Sequence, residues 1–266
     1  MSLPSFAGGY PVPSPHCSRT TPMTIQIKLV SDRRCGASAI GRERPAALRS
    51  RLLAVFASLL LATGAPLAWA QTVALGGAAP FGVLGASAVT NTGPSIVIGD
   101  MGIWPGNASS ITGFPPGQVI GSTHFADAVA LQAQADVTSA YNTLAGRPCG
   151  TTISADLGGS TLVPGVYCSA TSMGLTGTLT LDAQGDPDAE FIFQVGSALT
   201  TASASTVRMI NGGQNCNVYW QIGSSATVGT GASFGGNILA LASITLNTGA
   251  SASGRLLARN GAVTLD

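Results

Sequence analysis

Four short stretches of this chain set two hydroxyl side chains three residues apart around a pair of small residues. They are Thr92-Gly93-Pro94-Ser95, Ser203-Ala204-Ser205-Thr206, Thr230-Gly231-Ala232-Ser233 and Thr248-Gly249-Ala250-Ser251. A hydroxyl both donates and accepts hydrogen bonds and stays neutral across ordinary pH, so rows of them can hold ordered water. The stretches recur with a period. TVGTGAS at 227–233 returns as TLNTGAS at 245–251, and QVGSALTTASAST at 194–206 matches QIGSSATVGTGAS at 221–233 without a gap. NTGPS at 91–95 nearly copies NTGAS at 247–251. Offsets of 18 and 27 residues are the mark of a solenoid, in which each coil buries its apolar side only against its neighbours.

Other residues carry the outline of catalytic chemistry without its context. Gly231-Ala232-Ser233-Phe234-Gly235 matches the G-x-S-x-G of a hydrolase elbow, but it lies within a repeat, and His124 precedes it against the order of that fold. His124 reads as a polar residue of a first helical turn. Asp182, Asp186, Asp188 and Glu190 could offer oxygen ligands to calcium, yet they lack EF-hand spacing, and Gly185 and Pro187 mark a corner whose carboxylates cap turns. Tyr219 and Trp220 belong to an apolar strand and are expected in the core; Trp104 in a Gly/Pro-rich loop is less constrained. No Cys/His spacing fits zinc, so neither a metal nor a cofactor is expected, and the chain does not read as an enzyme.

Charge is divided unevenly. The first 70 residues hold eight Lys or Arg against two acids; the remainder holds four Arg, no Lys and nine acids. With no basic stripe after residue 70, nucleic-acid binding is not expected. Arginines at 42, 44, 49 and 51, an apolar run from Leu52 to Ala62 and small residues at Ala68 and Ala70 give residues 49–70 the form of a secretory signal. The run is too short and too interrupted by Gly64 and Pro66 for a membrane span. Cleavage near Ala70 would release a secreted, periplasmic or cell-surface domain, 71–266, with no membrane contact of its own. Residues 1–48, polar and without periodicity, read as a disordered leader or a mis-assigned start. An oxidising compartment suits pairing of Cys149, just after a predicted helix, with Cys168, at the end of a strand. Cys216, at the start of the strand 216–221, is expected as a buried thiol.

The elements that must position the hydroxyls are mostly short strands. Residues 79–98 alternate apolar and turn residues, and 175–181, 191–195, 218–222, 238–241 and 256–258 add apolar strands between Gly, Asn and Asp corners. Residues 100–121, rich in Gly and Pro, read as loop. A helix is predicted over about 123–145, capped by Thr123, with Val129, Ala133, Val137, Ala140, Tyr141 and Leu144 on one face and Gly146 and Pro148 stopping it. About 20 residues make a helix of roughly 30 Å, close to the height of about six coils at 4.8 Å each. The simplest architecture lays this helix along the flank of the solenoid; a β-sandwich is the competing one. Sharing of NTG between an early and a late coil suggests that the first coil packs beside the last.

The residues also carry a resemblance. LGGAAPFGVLGASAVTNTGPS, GFPPG at 113–117, ADAVALQAQAD, LDAQGDPDAEFIFQ, ILALASITLNTGA and RLLARNGAVTLD resemble the ice-binding protein family of cold-adapted microbes, over Ala74 to Asp266. The resemblance implies a mainly β fold: a right-handed discontinuous β-helix of triangular section, with one long α-helix alongside and a first coil stacked out of sequence order. It also implies a monomer whose partner is the ice surface, adsorbed through one flat face that bears T-A/G-x-T/N motifs on successive coils. On this sequence those motifs fall on Thr92, Ser95, Ser203, Thr206, Thr230, Ser233, Thr248 and Ser251. Each tetrad has at least one serine, which keeps the hydroxyl and lacks the methyl. An adhesive or structural surface solenoid without ice activity is the alternative.

Overall fold

The computed structural model describes residues 28–30, 73–153 and 156–266. Short strands, all paired in parallel, wind into a three-faced β-helix with one α-helix, Ala128–Ala145, against one face. Each coil contributes one strand to each face in turn. The coil of Val218–Ile222, Ala226–Val228 and Ser233–Gly235 is typical, and Asn237–Ala240, Ile244–Leu246 and Ser251–Ser253 form the next.

Alternation explains why these segments form the walls of a solenoid. On the three-residue strands of the face that follows the helix-covered one, the outer two side chains point in and the central one points out, as in Ile244 and Leu246, fully buried, around half-exposed Thr245. The interior is therefore filled by residues stacked coil upon coil. Phe193 lies flat on Trp220, ring centroids 3.9 Å apart, with Tyr167 beyond Phe193 and Phe234 tilted against Trp220. Trp220 is fully buried and donates its indole N–H to the carbonyl of Gly235 at 3.0 Å.

The strand order along the helix-covered face reveals how the chain closes on itself. Thr123–Phe125 lies at one end, followed by Asp100–Ile103 and Phe81–Gly85; the next strand is Leu256–Ala258, and the order then runs back through 237–240, 218–222, 191–195 and 165–169 to Thr151–Thr152. Residues 81–125 thus build one end of the stack. The helix carries the chain to the other end, and residues 151–265 build back until the last coil meets the first. At this seam Val263, Thr264 and Leu265 pair with Val89, Thr90 and Asn91, as the shared NTG suggested.

The helix binds this flank through both oil and caps. Ala133, Val137, Ala140, Tyr141 and Leu144 pack on Leu84, Ile192, Tyr219, Leu239 and Leu257. Gln194 donates to the carbonyls of Leu144 and Arg147 at 2.7 and 2.8 Å, closing the helix C-terminus. Tyr219, as expected, is buried, here between sheet and helix, where burial pushes its phenol up to about 12.

Several expectations are corrected. The helix begins at Ala128, because Thr123–Phe125 is taken as a strand by pairing with Met101–Ile103; its cap is Asp127, whose side chain accepts from the Ala130 N–H at 2.8 Å, and not Thr123. Val129 is 46% exposed, and Ala130 and Gln134 complete the buried face instead. Residues 100–121 are no loop but a coil, with strands Asp100–Ile103, Ile111–Thr112 and Gln118–Ile120. Within the N-terminal segment expected to lack structure, Lys28–Val30 is a strand paired with Ile96–Ile98. The signal reading of 49–70 lies outside the described residues.

Cys149 and Cys168 form a disulfide, with Cα atoms 6.0 Å apart, that ties the segment after the helix to the next coil. Cys216 lies in the turn Asn215–Asn217 before its strand and is disulfide-bonded, so the expected thiol is not found. Opening the Cys149–Cys168 bridge by Cys149→Ala, which frees a 19-residue separation, should cost about 2–4 kcal/mol. Urea unfolding of the variant against the parent checks this.

Candidate functional site

The face that follows the helix-covered one in each coil carries an uninterrupted ladder of threonines. Thr200 stands in register with Thr227, Thr227 with Thr245, Thr245 with Thr264, Thr264 with Thr90, and Thr90 with Thr112. All six are the outward residues of their strands, and none is buried. Neighbouring rungs of a parallel sheet stand about 4.8 Å apart. The hydroxyl of Thr90 reaches that of Thr264 at 3.2 Å across the seam, so the ladder passes from one block of the chain to the other unbroken. Threonine is β-branched and stiff at χ1, so its hydroxyl and methyl take fixed positions on such a strand.

The columns on either side of the ladder are short and nearly uncharged. Before it stand Ser225, Ser243, Ala262 and Ala88, placed by the backbone bonds Ala226 N–H to Ser243, Ile244 to Ala262 and Val263 to Ala88. The hydroxyls of Ser225 and Ser243 accept from the next coil's Ser243 and Ala262 N–H groups at 3.3 and 3.2 Å. After the ladder come Ala202, Gly229, Asn247, Asp266 and Thr92. The surface is flat because nothing on it is large.

The predicted tetrads wrap the next corner. Ser203, Thr230 and Thr248 are exposed at the edge of the threonine face, whereas Thr206, Ser233 and Ser251 begin the third face, in a column with Thr178. Position two makes the turn: Ala204, Gly231 and Gly249 have φ of 57°, 67° and 73°, the left-handed conformation that glycine adopts freely and alanine does not. Position three points inward, as Ser205, Ala232 and Ala250.

The N-terminal tetrad is displaced by one residue. Leu265 pairs with both Leu246 and Asn91, so Asn91 occupies the inward position of Leu246, and Thr92 follows in the place of Asn247. Asn91 is buried and donates to the carbonyls of Gly93 and Gly113 at 2.5 and 2.8 Å. Ser95 is consequently only 1% exposed and faces the interior, not the surface.

The third face differs in character. It presents Arg208, Asp182, Ile210, Ile96 and Ile98 among its hydroxyls, a mixed and uneven lining. Ser233 lies there as one rung of a ladder. His124 is on the terminal strand of the helix-covered face, its Nδ1 2.9 Å from Asp127 Oδ2.

The acidic corner caps turns. Asp182 accepts from the Gln184 N–H at 2.8 Å and from the Asn211 side chain at 2.7 Å, and Asp186 from the Asp188 N–H at 2.9 Å. Glu190 faces Arg147 at 3.7 Å; burial raises its carboxyl above the ordinary value, with the arginine opposing. Among the described residues no cluster of His, Cys, Asp or Glu could hold a metal ion.

Against known proteins, the model of the ice-binding-like family matches residues 83–266. The chain belongs to that family. An ice-binding protein of Nostoc sp. (strain HG1) is 54% identical over 194 residues, 72% of this chain and 71% of that protein. Among solved structures, an ice-binding protein from an Antarctic biological consortium superposes with a TM-score of 0.71 at 44% identity, covering 81% of this chain and 93% of its own. One from the Antarctic ascomycete Antarctomyces psychrotrophicus gives 0.70 at 41% identity, covering 73% and 95%. The superpositions, each over most of both chains, show that the overall fold is shared.

Two stability predictions follow from the corners. Ser205 is buried with no partner for its hydroxyl among the described residues, in a column otherwise of alanine, so Ser205→Ala should stabilise by roughly 1–2 kcal/mol in urea unfolding. Asp127, Asp156 and Asp182 are each held below the ordinary carboxylate value, first by backbone N–H bonds from Ala130, Gly158 and Gln184 respectively, then by His124, Thr176 and Asn211. A depressed folded pKa gives stability that is present above the unfolded value of 3.8 and lost as pH falls through the folded one. The melting temperature should hold between pH 7 and 5 and drop below about pH 4, as circular dichroism melts will register.

Proposed function

We propose that this protein adsorbs to ice through the threonine face, limiting crystal growth and inhibiting recrystallisation. The single observation that carries the reading is the in-register ladder Thr200, Thr227, Thr245, Thr264, Thr90 and Thr112 on a flat face that, among the described residues, neither the helix nor another element covers. The ice-binding relatives support it.

The mechanism is preorganisation. Each bridging water that a surface immobilises costs up to about 2 kcal/mol of entropy, less when its partners are already fixed. Strand pairing fixes the spacing of the hydroxyls, and χ1 stiffness fixes their direction. The methyls alternate with the hydroxyls as small apolar patches around which water forms a cage. Bulky or charged groups would hold a hydration shell of their own, which favours this face over the third, with its Arg208 and Asp182. The corner hydroxyls of Ser203, Thr230 and Thr248 extend the surface at its edge, while Thr206, Ser233 and Ser251 sit beyond it.

The reading is of a non-enzymatic monomer acting outside the cytoplasm, after cleavage near Ala70. Ser233 serves as a ladder residue and His124 as the partner of Asp127. Thr245→Tyr, at the centre of the ladder, should abolish thermal hysteresis and recrystallisation inhibition with little change in melting temperature. Ser253→Tyr, on the third face, should leave both intact. Ice activity lost with the second variant and kept with the first would move the adsorbing surface to the third face.

A further inference from the structure

A carboxylate sits in the flat face, and its two oxygens are both occupied by hydroxyls of that face. Asp266 follows Leu265 in the column that holds Asn247 on one side and Thr92 on the other. The Thr248 hydroxyl donates to its Oδ2 at 2.5 Å, and the Thr92 hydroxyl donates to its Oδ1. Thr248 belongs to the preceding coil and Thr92 to the first, 174 residues away in sequence, so the carboxylate spans the seam. Between Thr200 and Thr112 Asp266 is the one charged residue of these three columns; Asp156 lies further along the ladder column, in register with Gly174 beside Thr200. These two bonds, Thr248 first, also hold its carboxyl below the ordinary value.

We propose that Asp266 is a positioning residue of the ice-adsorbing face: its carboxylate clasps Thr92 and Thr248, fixing their hydroxyl hydrogens inward and holding the two blocks of the face in one register. This rests on the ice-adsorption reading. A hydroxyl that donates to the carboxylate offers water only its acceptor lone pairs, so both threonines present the same polarity to the ice. A carboxylate that already accepts two hydroxyl bonds has fewer free lone pairs for disordered water, which reconciles a charge with a face that must shed its own hydration. Backbone pairing of 263–265 with 89–91 remains without the clasp, so its loss should loosen the alignment of the side chains and leave the solenoid folded.

The test compares thermal hysteresis and melting temperature of the full chain for the parent, Asp266→Ala and Asp266→Asn. Asp266→Ala should lower hysteresis roughly threefold, because waters on the loosened hydroxyls are no longer held in fixed positions, with the melt unchanged. Asp266→Asn, which can accept from one threonine but must donate to the other, should fall between. In a Thr92→Val, Thr248→Val background, Asp266→Ala should add nothing, because the clasp has no partners left. Undiminished hysteresis in Asp266→Ala overturns the proposal, as does a loss that merely tracks a lowered melt or one that persists in the double-valine background. A parent chain without any effect on ice overturns the ice-adsorption reading itself and this inference with it.

Discussion

Everything in this structure depends on the fact that a coil cannot bury its own interior. Phe193, Trp220, Ile244 and Leu246 are shielded only because another coil lies above and below each of them. A stack of such coils must be held in register by parallel pairing along its whole length, and its flank must be covered where outward residues are apolar. The helix meets the second need and creates the topology. By returning the chain to the far end of the stack, it obliges the later coils to build toward the first, and the seam is the result.

Register is what turns an ordinary sheet into a surface with a function. One outward threonine on a three-residue strand is an unremarkable solvent-facing residue. Six of them, in consecutive coils without a slip, define a lattice, and the inward residues beside them, such as Ile244 and Leu246 around Thr245, enforce it, since a shift by one would drive a hydroxyl into the core. The inner and outer faces of the wall therefore specify one another. The same coupling explains the corners: where the chain must bend between faces, Ala204, Gly231 and Gly249 adopt a conformation chosen for turning.

Much of this was legible in the residues. The 27-residue offset between Gln194 and Gln221 and the 18-residue offset between Thr227 and Thr245 are the observed coil-to-coil pairings. The end of the helix and the Cys149–Cys168 bridge were equally plain. The threonine ladder was not, because tetrads that repeat as whole words draw attention to the corner, whereas each ladder threonine is a single residue in strands that otherwise differ, such as LTT at 199–201, ATV at 226–228 and VTN at 89–91. Strand alternation applied at the known offsets would have found it. Asn91 misled for a different reason: local likeness to Asn247 hides that it points inward, where Gly113, from another coil, receives its amide. Nor does helical periodicity register that Thr123–Phe125 has a sheet partner in Met101–Ile103.

The seam also imposes an order of events. Thr90 and Thr264 touch, although 174 residues, the helix and the later coils among them, separate the two in sequence. Local contacts close early and distant ones late, because the entropy of the enclosed loop is lost before any pairing compensates. As the chain leaves the ribosome and is folded, its two blocks can each acquire walls and interior while the broad face they share is still in two pieces. The face becomes continuous only when this pairing is made, so a half-built molecule can have a core to protect it before its broad face is whole.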